Sequence, residues 1–491
     1  MAAVIAPTIL SYGTYSMAWD DLYFFHRTVS LNRAIWSLDG RQFVETFSIL
    51  MKSPVMALMA APWGPAGTSE KVIGLSLVSL AGCTWLVALV CIYLMARMGC
   101  GKILLVVAGA SLAANPVLTG YAGAFLVDGL LSWVVLLTLL LGPYEALTEE
   151  HGVAASIRRG LLWALALNAG ALAKVTYGYF ALLMVPCLLL IRWRRGGATA
   201  TIVAAASCVG GCLPSIVIWG LFGAQFLRHA QMSAWGAGSR FYAAPGISPL
   251  AFAGSYIQAI GAAFYLHCGL GLAAIWMVAR KRVRVLRAAI WPLLVLALYF
   301  LLSIQGSNRD LRFFMPAMVS FPFLLVALVP NGPQQGRPAV SKAAFAAAFL
   351  VMVLVSLPMT KRPELSNVWR ARDLLVKCGL HGYTRITLAT DSPGFNIETF
   401  LLAKELLGKP GRKFRIGTLV YDIVHEKPVE SGFEVMRHSD VTIFEEPQPV
   451  SPEFTNRRAG DYGSYVLRNG RKVTELSDQR TSVFEVIRRP G

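Results

Sequence analysis

Apolar runs long enough to cross a lipid bilayer recur through the first 360 residues, and polar, mixed sequence follows them to residue 491. Residues 72–96, 201–222 and 343–359 each lack any charged side chain. A helix needs about 20 apolar residues to cross the hydrocarbon core, and no soluble core needs so many such runs. The pattern predicts ten spans, near 73–96, 102–115, 124–142, 160–173, 177–191, 200–222, 258–279, 288–304, 313–329 and 341–359. Residues 1–12 are apolar but too short to cross, and they lack the basic flank of a signal peptide. They read as the end of a first helix, either shortened or lost to a misplaced start codon, which would bring the count to eleven. Two longer connections stand out. Residues 13–72 mix aromatics, charges and helical periodicity, and are expected to be partly helical and to lie on the membrane surface. Residues 223–257 hold Arg228, His229, Trp235, Arg240, Phe241 and Tyr242, and loops of this length are usually functional.

The polar tail, residues 361–491, has 21 basic and 17 acidic residues. Within it, 385–390 reads as a strand and 397–407 as a helix capped by Asn396. Strands are expected at 414–421, 440–444 and 482–487, and a hairpin at Asn469-Gly470 within 465–476. The expected organisation is therefore a polytopic α-helical membrane domain, 1–360, followed by a soluble α/β domain, 361–491. The tail carries no nucleotide-binding fingerprint, and the chain has no internal repeat.

Composition supports this division. The chain is 55% hydrophobic and 15% charged, where soluble proteins carry about 25% charged residues. A net charge of +18 invites a nucleic-acid partner, but the charges are distributed as a membrane protein distributes them. Alternate loops hold 14 Lys and Arg, from Arg97 and Lys102 to Arg337 and Lys342, against three acids, Glu145, Glu149 and Glu150. Such loops mark the cytoplasmic side. The long first loop and the tail then face outward, on the periplasmic side of an inner membrane if the source is bacterial. Seven of the eight cysteines fall in or beside spans, so the single tail cysteine, Cys378, has no internal partner for a disulfide. Cys208 and Cys212 are one helical turn apart and are expected to pack as apolar groups.

The ionisable residues that remain share one side of the membrane. Asp20 and Asp21 follow the presumed first helix; one could serve as a general base, or the pair could cap a helix at the water interface. Lys52, in Lys52-Ser53-Pro54, could hold a phosphate as a point charge or anchor a helix end by snorkelling. Asp128 is the only acid within the ten predicted spans, and a carboxylate there faces a cavity or a partner. Lys174 lies at the outward end of two short spans. Arg309 and Arg312 flank a short outward loop, where arginines break the positive-inside trend and suit bidentate phosphate recognition. Acids and cations gathered at one surface fit transfer from an anionic lipid carrier, with a base activating an acceptor hydroxyl and cations stabilising the departing phosphate.

In this order the motifs resemble the GT-C glycosyltransferases, in the family 39-like branch that contains protein O-mannosyltransferases and the bacterial lipid A aminoarabinose transferase. The branch's acidic pair is matched by Asp20-Asp21, its Lys-Pro-Pro-like element by Lys52-Ser53-Pro54, and its Asp entering a later span by Asp128. Its Gly-x-x-x-Lys stretch is matched by Gly170 to Lys174, and its Arg-aromatic-x-x-Pro element by Arg312-Phe313-Phe314-Met315-Pro316. The resemblance implies inverting transfer from a polyprenyl-phosphate-linked sugar. It makes Asp20 the base, with Asp21 and Asp128 in support, and places Lys52 and Arg312, and after them Lys174, at the donor phosphate; Arg309 joins that set from its place in the outward loop beside Arg312. Glycan, lipid and protein acceptors all remain open. Some relatives bind a divalent metal ion near the acids, but the sequence shows no metal-ligand spacing. Asp21 replaces the branch's frequent Glu, Tyr23 stands near an expected Arg with Arg27 one turn later, and Ser53 replaces a proline. These departures bear on the sugar and the acceptor rather than on the reaction. A transporter or flippase of a lipid-linked or anionic solute is the alternative; it expects charged groups near the midplane and repeated halves.

Overall fold

The computed structural model describes residues 14–16, 19–48, 54–60, 62–63, 69–121, 127–147, 152–234, 248–279, 283–305, 311–328, 362–392, 395–420, 427–446 and 453–486. Strand β1 (Thr14–Ser16) leads into α1 (Trp19–Trp36), α2 (Gly40–Ser48) and the short α3 (Val55–Ala60). The first connection is thus helical, as its periodicity suggests. Apolar helices follow: α4 (Ser69–Arg97), α5 (Lys102–Ala113), α6 (Pro116–Tyr121), α7 (Asp128–Leu147), α8 (Val153–Ala173), α9 (Gly178–Gly211) and α10 (Leu213–Ala234). The set continues with α11 (Pro249–Ile260), α12 (Ala263–Ala279), α13 (Val283–Gln305) and α14 (Met315–Ala327).

Helix α7 is the axis of the bundle. Its leucine- and valine-rich sequence is apolar on every side, so it must be enclosed all round, and α4, α8, α9, α13 and α14 pack around it. The surrounding helices leave Leu182, Ile202, Leu221, Leu272 and Leu301 open on their outer faces, as helices facing hydrocarbon do. Among the described residues, three segments are long and apolar enough to cross a membrane: Val78–Arg97, Asp128–Leu147 and Tyr177–Gly211.

The last of these is two arms rather than one rod. Gly197 has φ 73°, outside helical geometry and open to glycine at little cost. Before it, Arg192 reaches Ser156 near the start of α8; after it, Cys212 reaches Ala164 and Ser215 reaches Asn168 further along the same helix. The chain therefore reverses at Gly197, and the expected spans 177–191 and 200–222 are distinct. Small residues let the second arm close on α8: a Cβ on Gly160 would lie 2.2 Å from the Ala204 carbonyl oxygen, and one on Gly211 would lie 2.6 Å from the Ala164 methyl.

Other expectations shift. The span placed at 258–279 begins later, because α11 and α12 meet at 98° across Gly261. The connection 223–257 is helical at both ends: α10 runs to Ala234, and Ser248 caps α11 by accepting from the Ala251 amide. Helices α5 and α14 have 12 and 13 residues, shorter than the rough 20 that crosses a bilayer. The expected helix at 1–12 and the span 341–359 lie outside the described residues.

The C-terminal segment comprises β2 (Arg362–Glu364), α15 (Ser366–Leu380), β3 (Arg385–Leu388), α16 (Ile397–Leu406) and β4 (Arg415–Thr418). It ends with α17 (Val429–His438), β5 (Val441–Glu445), α18 (Glu453–Asn469), β6 (Gly470–Lys472) and β7 (Thr481–Val486). Five strands form one sheet in the order β4-β3-β5-β7-β6, parallel across β4, β3 and β5 and antiparallel beyond. Asn396 caps α16 as expected, its side chain accepting from the Glu398 and Thr399 amides. The expected hairpin at Asn469-Gly470 is instead the end of α18. Ala459, Tyr462 and Val466 are all buried, and that spacing is a helical face rather than a strand alternation. Asn469 and Gly470 are also residues that end helices.

Candidate functional site

Three helix ends meet at one corner of the bundle. The first is the start of α7, where Asp128 occupies the initial turn, a favourable place for a carboxylate. The second is the end of α8. Gly170 stands one turn before Lys174, and a Cβ there would fall 2.3 Å from the Tyr177 ring. Without a side chain at 170, Tyr177 folds back onto α8 and its hydroxyl meets Thr138 Oγ1 at 2.7 Å. The chain consequently leaves α8 in extended conformation at Lys174 and turns through a 3-10 segment, Val175–Tyr177. This turn aims Lys174 Nζ at Asp128 Oδ1, which accepts at 2.5 Å; the side chains are 23% and 5% exposed.

The third element is the 3-10 turn Leu311–Phe314 before α14. Phe314 is wholly buried among Phe252, Tyr256 and Phe300, and Tyr299 donates its hydroxyl to the Phe313 carbonyl at 2.6 Å. With the turn held at both residues, the Phe313 ring receives Lys174 Nζ at 4.6 Å and Arg312 Cζ at 5.3 Å from its centroid. Both distances suit cation–π attraction. Lys174 and Arg312, far apart in sequence, thus meet at one ring, and Asp128 joins them through its bond to Lys174. Phe313 was visible only as part of the arginine motif, and Tyr299 had no signal within its apolar run.

Asp20 and Asp21 open α1; their side chains, together with Lys52 and Arg309, lie outside what the structure describes. Further along α1, Arg27 stacks on Tyr23 at 5.4 Å. Among the described residues, no group of three His, Cys, Asp or Glu is placed to hold a metal ion.

The other end of α7 holds a second carboxylate that the predicted span left out. Glu145 is buried inside the helix, with Arg159 Nη1 at 3.1 Å and Arg192 Nη1 at 3.8 Å, both arginines also buried. Arg192 donates to Ser156 at 2.7 Å, and Arg159 stacks on Tyr144 at 4.4 Å. Two arginines expected as loop charges therefore tie α8 and α9 to the axis of the bundle.

The helical bundle and the small mixed sheet joined to it make up a fold that this chain shares with solved structures of ArnT. The solved structures that share it include ArnT from Cupriavidus metallidurans bound to undecaprenyl phosphate and the same protein in the apo state. Each aligns with TM-score 0.55 and 13% identity over 98% of this chain and 96% of its own. The likeness covers the C-terminal segment as well as the bundle; at that identity it is a likeness of fold. No family model and no curated protein matches the sequence.

Proposed function

We propose that the chain is a membrane glycosyltransferase that moves a sugar from a polyprenyl-phosphate donor to an acceptor hydroxyl or phosphate at the outer face of the membrane, with inversion. One observation carries this reading: Lys174 and Arg312 meet at the Phe313 ring, with Asp128 paired to Lys174, in a fold shared with a protein whose structure is bound to undecaprenyl phosphate. The proposed donor is a phosphodiester on a long apolar chain, so its site needs cations beside an apolar wall. Lys174 and Arg312 supply the cations, and Asp128 orients the ammonium. An apolar groove lined by Phe180, Leu183, Val295, Leu298 and Tyr299 adjoins this corner through Tyr299 and suits an isoprenoid chain.

In the proposed reaction Asp20, supported by Asp21 and Asp128, takes the acceptor proton. The acceptor oxygen bonds to the anomeric carbon as the bond from that carbon to the phosphate oxygen breaks. Polyprenyl monophosphate departs with added negative charge, which Lys174, Arg312, Lys52 and Arg309 stabilise. A phosphate acceptor needs no proton removed. In this reading residues 1–360 form the transferase domain in the inner membrane, and residues 361–491 form a periplasmic domain that meets a glycan, lipid or protein acceptor. The exposed Arg158, Arg194 and Arg195, at the bundle end opposite Asp128, favour that orientation.

The test is sugar transfer in membranes supplied with radiolabelled polyprenyl-phosphate sugars, comparing wild type with Asp20→Asn. Transfer that needs both the lipid donor and Asp20 is expected. Donor-dependent transfer that survives the substitution moves the base to another acid, and absence of transfer from every donor by folded protein refutes the reading.

A further inference from the structure

The helix that opens with Asp20 and Asp21 is held by the C-terminal segment at three points. Three residues before α1 begins, β1 pairs in parallel with β2, with Thr14 opposite Arg362 and Ser16 opposite Glu364. Within α1, His26 Nδ1 lies 3.2 Å from Glu398 Oε2. Two turns further along the same face, Arg33 Nη1 donates to Glu405 Oε2 at 2.5 Å and Arg33 Nη2 donates to the Glu405 backbone carbonyl at 3.0 Å. His26 and Arg33 are seven residues apart, and so are Glu398 and Glu405. Two turns of helix span that distance, so α1 and α16 lie side by side, run the same way and match residue for residue.

These contacts differ from ordinary surface pairs, which contribute little. The His26 and Glu398 side chains are 6% and 17% exposed, and Arg33 grips side chain and backbone together. Helix α16 is itself a fixed reference: the Asn396 cap closes its start, and it packs on α15 and β4. On its other side α1 packs against the shorter α2 and α3. The acidic pair therefore sits between a paired strand and two clamped turns, and all three anchors belong to the segment after residue 361.

We propose that α16 positions the acidic pair, with His26, Arg33, Glu398 and Glu405 as positioning residues that set where Asp20 and Asp21 stand relative to the corner at Asp128. The catalytic consequence rests on the transferase reading; the docking does not. The residues act through the backbone of α1, so their loss moves the base without removing a donor contact. Turnover falls and donor affinity holds.

The experiment uses full-length protein in lipid nanodiscs, with Arg33→Glu, Glu405→Arg and the double exchange. Amide hydrogen exchange is measured across α1 and across β3, β4 and β5, alongside kcat and KM for the polyprenyl-phosphate sugar. Each single variant is expected to speed exchange throughout α1 and to lower kcat about tenfold, a change of about 1.4 kcal/mol in the barrier, with KM unchanged. The double exchange is expected to restore both. Unchanged exchange in α1 overturns the proposal. So does faster exchange in α1 with kcat intact, or a double exchange that repairs the sheet without repairing kcat. If wild type transfers sugar from no donor, the transferase reading fails, and exchange in α1 alone decides whether α16 holds the helix.

Discussion

Replacing Lys174 with methionine should expose how strongly the corner depends on its ion pair. Asp128 is 5% exposed and Lys174 23%, so the variant leaves a buried carboxylate without its cation. Removing one partner of a buried pair costs about 3–5 kcal/mol. The lower end applies here because water reaches the lysine, giving a loss of about 3 kcal/mol. Asp128→Asn should cost less, about 1 kcal/mol, because the freed ammonium can turn toward solvent. With both changes no charge is stranded, and about 1–2 kcal/mol of lost hydrogen bonding remains. The two substitutions should therefore fall short of additivity by about 2 kcal/mol. Equilibrium unfolding in mixed detergent micelles, followed by tryptophan fluorescence of the full chain, reads all four corners of the cycle. Additivity within about 0.5 kcal/mol would show that the pair at 2.5 Å contributes no coupling, and the electrostatic picture of the corner would be refuted.

Gly170→Ala places a methyl against the Tyr177 ring and should cost about 1–3 kcal/mol by overpacking; Tyr177→Leu in the same chain should recover part of that loss in the same unfolding assay. Glu145→Leu strands Arg159 and Arg192 in the bundle and should cost about 3–5 kcal/mol, read as a lower unfolding midpoint, whereas exchanging the exposed Arg194 for leucine should change little. In the C-terminal segment, hydrogen bonds from Tyr383 and Arg471 hold the Glu485 carboxyl below the ordinary carboxylate range. A depressed folded value contributes stability above the unfolded pKa of about 4.3 and loses it as pH falls through the folded value. Hydrogen-exchange protection in β6 and β7, corrected for the intrinsic pH dependence of exchange, should therefore fall below about pH 4, and Tyr383→Phe should shrink that acid-dependent step.

The bundle was legible because lipid-facing and enclosed helices both need apolar residues, and the charge alternation separated the loops. Helix ends were harder. Gly197 follows Arg192, Arg194 and Arg195, which marked the turn between two predicted spans, whereas Gly261 lies within an apolar run and bends the chain by 98° where a single span was expected. Glu145 fell outside its predicted span because a buried acid next to loop charges reads as a loop residue until its two arginines are found around it. The Asn469-Gly470 pair suited a hairpin and a helix end equally; the spacing of Ala459, Tyr462 and Val466 favoured the helix. Of the candidate site residues, Asp128, Lys174 and Arg312 could be singled out as charges in the wrong place, and the structure gathers them. Their dependence on Gly170, Tyr177 and Phe314 could not be read, since those residues act through packing across elements. Nor could the match of His26 and Arg33 to Glu398 and Glu405, where 372 residues separate each pair.

The proposed transfer can be tested at the donor itself. Wild-type protein, a polyprenyl-phosphate sugar and acceptor-bearing membranes are followed by phosphorus NMR. The phosphodiester resonance should fall and a polyprenyl monophosphate resonance should rise in step with glycosylated product, and both changes should be lost with Arg312→Gln. A phosphodiester signal that persists across a broad donor panel, with protein whose fold is intact, would contradict the proposal that this chain is a polyprenyl-phosphate-dependent glycosyltransferase.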